Sequence, residues 1–147
     1  MRRIMLFMAA SLLMATQACS VNVPKDVKDA LAKKFPAAKW EKWSKENDKT
    51  LEAEFVLDGK TVSALFSLDG TWMETEEAIT VDVLPQAVKA TLEAKFAKMN
   101  VKECEKVTKS DSSLTYELEI KTAEGVKEVV FNPQGEILKV EAASAED

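Results

Sequence analysis

One order of landmarks occurs twice in this chain, and that doubling limits what it can fold into more than any single motif does. The first pass runs Val23-Pro24, Val27, Leu31, Phe35, then Glu52-Ala53-Glu54-Phe55, Phe66 and Gly70. The second runs Leu84-Pro85, Val88, Leu92, Phe96, then Glu117-Leu118-Glu119-Ile120, Phe131 and Gly135. Pro24 to Pro85 and Phe35 to Phe96 are each offset by 61 residues, Glu52 to Glu117 and Phe66 to Phe131 each by 65. A helix-to-strand connection longer by four residues accounts for the change.

Each pass opens with a helical pattern. Proline stands at its start, where a missing N–H costs nothing. Val27, Ala30, Leu31 and Phe35 share one face, with Lys25, Asp26, Lys28, Asp29 and Lys33 opposite. Pro36 biases Phe35 out of the helical region and ends the first helix there. The second stripe is Val88, Leu92, Phe96 and Met99, which predicts a helix stopping near Asn100.

The period then changes to two. Leu51, Ala53, Phe55 and Leu57 alternate with more polar neighbours, Asp58-Gly59 turns the chain into Val62, Ala64, Phe66 and Leu68, and Asp69-Gly70 turns it again. Leu114, Tyr116, Leu118 and Ile120 form the matching strand, followed by turns at Glu124-Gly125 and Pro133-Gln134-Gly135. Shorter strands over residues 39–44 and 102–109 complete the pattern. The resulting expectation is an α+β chain of two tandem units, each one helix packed on a four-stranded antiparallel sheet, spanning residues 21–82 and 83–141. One face of each sheet is left to solvent, and a small acidic tail at 142–147 is expected to fray.

Residues 1–20 read as a signal peptide: Arg2 and Arg3 give the positive start, residues 4–15 are apolar apart from Ser11, and Ala18, Cys19 and Ser20 follow. The apolar run is too short to span a bilayer permanently. Cys19 sits where a bacterial lipoprotein carries its lipid-modified cysteine, yet Thr16 stands where Leu, Val or Ile is usual. Cleavage after Ala18 or after Ser20 satisfies the small-residue rule equally well, so lipidation at Cys19 and a plain cut both stay open.

The chain is acidic, with 20 basic against 25 acidic residues, and loses two of its basic residues with Arg2 and Arg3. Such a charge repels nucleic acid and anionic lipid, which leaves Cys19 as the route to a membrane. The chain has no His, which removes the commonest general base and metal ligand. Two cysteines give no disulfide framework, the serines have no activating setting, and no cofactor motif occurs. The pairs Glu52/Glu54 and Glu117/Glu119 fit a solvated sheet face better than an acid–base couple, and Asp58 and Asp69 fit hairpin turns better than a calcium loop. The chain is therefore expected not to be an enzyme.

Phe35-Pro36-x-Ala38, Trp40, Trp43, Glu54-Phe55, Asp58-Gly59, Phe66, Asp69-Gly70-x-Trp72 and Leu84-Pro85 together resemble the PepSY-like, or β-lactamase-inhibitor-like, family of exported proteins common among Bacteroides relatives. The second pass departs from it: Phe96 has no following Pro, no Trp occurs, and Glu124-Gly125 and Gln134-Gly135 replace the Asp-Gly turns. The resemblance implies tandem helix-plus-four-strand units and an envelope location, and brings no catalytic residue.

Tryptophan is enriched where proteins meet, which makes Trp40, Trp43 and Trp72 the candidate partner-binding residues. Trp40 and Trp43, three apart on a strand, point to opposite faces, and Trp72 is placed to pack on Phe66. Core packing is expected for at least two of the three. The leading expectation is an exported binding or inhibitory module of the periplasm or outer membrane, offering an open sheet face to an envelope or secreted protein. Its rival is a small-ligand or envelope-structural protein with a pocket between the two units.

Overall fold

The computed structural model describes residues 21–143. The leader and Cys19 lie outside these residues, as does the end of the acidic tail. The elements are α1 (Lys25–Lys34), β1 (Lys39–Lys45), β2 (Thr50–Leu57), β3 (Lys60–Ser67), β4 (Trp72–Ala78), a 3-10 turn (Val81–Val83), α2 (Gln86–Lys95), β5 (Asn100–Lys109), β6 (Leu114–Thr122), β7 (Gly125–Phe131) and β8 (Ile137–Ala142).

The eight strands form one antiparallel sheet in chain order. This corrects the α+β expectation of two tandem units, each a helix on its own four-stranded sheet: the fold is mostly β, and the sheet is not divided. Residues 74–78 of β4 pair with residues 105–109 of β5. Two separate sheets would have left β4 and β5 as edges with rows of unpaired N–H and C=O groups, and joining them satisfies both rows.

Each helix is short and marginal on its own, so packing holds it. Pro24 and Pro85 occupy the N-caps with no side-chain cap, and Phe35 and Phe96 close the C-termini by donating their N–H to Leu31 and Leu92. The second helix ends at Lys95, short of the predicted stop near Asn100. Lys98 has φ 60, which is outside the helical region, and Asn100 already belongs to β5. Met99 still packs on the core, but from the connection.

Both helices lie on one face of the sheet. Val27 and Leu31 of α1 pack with Leu51, Ala53, Phe55, Val62, Ala64 and Phe66. Val88 and Leu92 of α2 pack with Leu118, Ile120, Val129 and Phe131. Lateral pairing shows that the two clusters share a face, because Phe55, Val62, Glu77, Lys106, Tyr116 and Phe131 form one continuous row across β2 to β7. Between the clusters the row turns polar, and Lys106 pairs with Glu77 at 2.5 Å. Complete burial of side chains such as Phe66 and Leu118 contributes about 1.5–3 kcal/mol each.

Two glycine turns fit against the helices. A Cβ on Gly70 would lie 2.8 Å from the Asp26 carbonyl oxygen, and one on Gly135 would lie 2.4 Å from that of Ala87. Positive φ values of 85 and 82 reinforce the requirement for glycine at both. At the C-terminal end Ala142 is not frayed, since it pairs with Lys127, and the Ala143 N–H donates to the Val126 carbonyl.

Candidate functional site on the face opposite α1 and α2

The residues that alternate with the core positions define the opposite face, and the registers set them out in rows. One row reads Ser44, Glu52, Leu65, Glu74, Lys109. The next reads Lys42, Glu54, Ser63, Glu76, Val107, Thr115. A third reads Ala78, Glu105, Glu117, Val130, Lys139, and a fourth is four glutamates side by side: Glu103, Glu119, Glu128, Glu141. Carboxylates therefore far outnumber ammonium groups on this face.

The expectation of a solvated face fails for part of it. Glu74, Glu105, Glu117 and Glu128 are buried, as are Ser63, Thr115 and Val107. The Glu105 carboxyl is pushed up to about 8, first by its own burial and then by the negative charges of Glu76, Glu103, Glu117 and Glu52. Local pairing relieves some of the repulsion. Ser44 Oγ donates to Glu52 at 3.2 Å, and Lys139 Nζ lies 2.9 Å from Glu141 and 3.8 Å from Glu128. A shallow cleft on this face is lined by Glu46, Glu52, Ser63, Leu65, Glu74 and Glu76.

None of the three tryptophans lines this cleft. Trp43 packs on the α1 cluster with its ring centroid 6.1 Å from that of Phe66, and its indole N–H is buried with no hydrogen-bond partner. Trp72 packs on the same cluster opposite Phe66 in the β3–β4 register. Its indole N–H donates to Thr75 at 3.0 Å, and Lys34 Nζ sits 3.4 Å above its ring centroid. Trp40 is 87% exposed at φ 58, inside the register break between Lys39 and Lys42. The structure does not bring the three together.

What the sequence reading passed over is the glutamate array. Its signal was present as Glu-x-Glu at 52/54, 74/76, 103/105 and 117/119, spacings that put each pair on one face of its strand. Only the register reveals that all four pairs share the same face. Asp58 and Asp69 serve hairpins: Asp58 takes φ 51 beside Gly59, and the Asp69 carboxylate accepts from the Thr71 N–H at 2.9 Å. Cys104 is unpaired and buried, its thiol pushed up to about 12 by desolvation and by Glu105, which makes it a poor nucleophile.

With this geometry in place the chain can be set beside known proteins. A family described as "Putative beta-lactamase-inhibitor-like, PepSY-like" matches residues 49–139, from the start of β2 into β8. The chain belongs to this family. Solved structures share the PepSY-like chain's fold at low identity. A "putative periplasmic" protein of Bacteroides eggerthii superimposes with a TM-score of 0.76 at 24% identity, over 82% of this chain and 88% of the other. A DUF2874 family protein of Bacteroides uniformis gives 0.75 at 24% identity over 80% and 88%, and a BLIP-like protein of Bacteroides fragilis gives 0.72 at 20% identity over 86% and 91%. No curated protein matches the PepSY-like chain.

Proposed function

We propose that this PepSY-like protein is an exported, non-catalytic module of the cell envelope that presents the face of its sheet opposite α1 and α2 to a protein partner. One observation carries the reading: both helices pack on the same face, so the other face, rich in Glu side chains, carries no described helix. The first twenty residues read as an export leader, and the Bacteroides eggerthii protein of the same fold is described as periplasmic, which supports the location. Among the described residues no helix is long and apolar enough to cross a membrane, so attachment would rest on Cys19. Fractionation of a Cys19→Ser variant tests that anchor: loss from the membrane fraction is expected if the cysteine is lipidated. The rival small-ligand reading placed its pocket between two separate units; β4 and β5 join there in one sheet, and a groove at that junction is lined by Ala78, Ile79, Lys102, Glu103, Cys104 and Glu105.

Photocrosslinking in cells tests the face directly. A crosslinker at Glu76 is expected to trap one envelope or secreted protein, and the same group at Lys28 on the exposed side of α1 is expected to trap none. Equal trapping from both positions, or none from either, sinks the reading.

A further inference from the structure

The two end strands of the described sheet are closed to different degrees. β1 is interrupted between Lys39 and Lys42 and carries Lys39, Lys42 and Lys45. β8 breaks only at its start, and from Lys139 to Ala142 its register with β7 is continuous. It also displays apolar side chains, with Leu138 55% and Val140 45% exposed. A regular edge bearing exposed aliphatic residues is a template for another strand.

The hydrogen-bond phase of the ladder fixes which groups β8 offers. The Ala143 N–H donates to the Val126 carbonyl, so these two residues form a bonded pair. Bonded and non-bonded pairs alternate along an antiparallel ladder, which makes Glu141 with Glu128 and Lys139 with Val130 the next bonded pairs. Ala142 and Val140, opposite Lys127 and Val129, therefore aim their N–H and C=O groups away from β7.

This edge is complementary to its own reverse. Laid antiparallel on a second β8 with Val140 opposite Val140, Lys139 falls opposite Glu141, Glu141 opposite Lys139, and Leu138 opposite Ala142. Opposite charges directly across a ladder attract, and Lys139, already 2.9 Å from Glu141 of its own chain, gains a second carboxylate. Centring the pair on Lys139 instead sets lysine against lysine and presents groups already bonded to β7. Charge and hydrogen-bond phase thus select the same register. We infer that two copies of this chain join β8 to β8 about a two-fold axis at Val140, each Val140 N–H donating to the other's Val140 carbonyl. The helices of both copies then lie on one side, and the face opposite them continues across the pair. The outer strands of the pair are the two interrupted, lysine-bearing β1 strands, so association closes at a dimer.

Sedimentation velocity of the purified protein over a concentration series tests this, with thermal melts to follow folding. The parent is expected to dimerise reversibly. Lys139→Glu and Glu141→Lys each set like charges opposite one another twice, because of the two-fold, and each weakens association at least about tenfold. Mixing the two variants restores the dimer, since each glutamate-bearing edge then meets a lysine-bearing one. Val140→Pro removes an outward N–H that the β7 ladder does not use, and gives a monomer that still melts cooperatively. A monomeric parent, the result if this edge takes a strand of a different protein, overturns the inference. So does a dimer that survives Val140→Pro, or a mixture of the charge variants that stays monomeric. Crosslinking from Glu76 on β4 is a separate readout, so the protein-binding role stands or falls independently.

Discussion

The two faces of this sheet come from the same strands, and residues one apart on a strand meet opposite fates. Ala53, Phe55, Ala64 and Phe66 are sealed under α1, while Glu52, Glu54, Ser63 and Leu65 line the other side. Under the helices the covered face is apolar and satisfied, apart from the Trp43 N–H; the opposite face mixes buried carboxylates with hydroxyls that lack partners. The contrast teaches that one face holds the fold and the other spends stability on something besides folding. Natural proteins keep such locally unfavourable groups mainly where function needs them.

Substitutions on adjacent residues break this comparison most sharply. Phe66→Ala removes a fully buried ring and is expected to cost about 3–5 kcal/mol in urea denaturation, whereas Leu65→Ala should cost less than half as much. Equal losses would mean that both faces are core.

Glu105→Gln probes the other face, with the opposite sign. The folded state holds the Glu105 proton more tightly than the unfolded chain does, since its carboxyl lies at about 8 instead of the usual 4.5. Its contribution to stability is therefore full below pH 4.5 and is lost as the pH rises toward 8. Glutamine stays neutral, so the variant should be more stable than the parent by on the order of 2–4 kcal/mol at pH 9 and nearly equal to it at pH 4. Thermal melts across that range check it, and a parallel pH profile for both proteins would show that the carboxyl is well solvated.

The smallest effect is expected at Trp40. Trp40→Ala should change stability by less than about 0.5 kcal/mol, against about 3–5 kcal/mol for Trp43→Ala, because Trp43 packs on the core and Trp40 is exposed.

Much of this was legible in sequence because it is local. Helical stripes marked α1 and α2, Asp58-Gly59 and Asp69-Gly70 marked hairpins, and Phe35-Pro36 marked a helix end. The pairing of β4 with β5 was not legible, since α2 intervenes between them and nothing in either strand names its neighbour across that distance. The end of α2 was misjudged because Met99 continues the apolar stripe after the helix has stopped. The glutamate array stayed hidden for the same non-local reason: each Glu-x-Glu pair reads as solvent-facing until the seven strand registers stack them together. Trp40 drew notice by residue type alone, and type does not reveal the positive φ and register break it occupies within β1.

The irregularity at Trp40 has a consequence for the molecule's behaviour in a crowded compartment. β1 is an end strand of the described sheet, so its outer side would offer a template to a second chain. The register break between Lys39 and Lys42 interrupts the template, and three lysines, Lys39, Lys42 and Lys45, line the same strand. A kinked, positively charged border resists edge-to-edge stacking, which guards the protein against fibre formation.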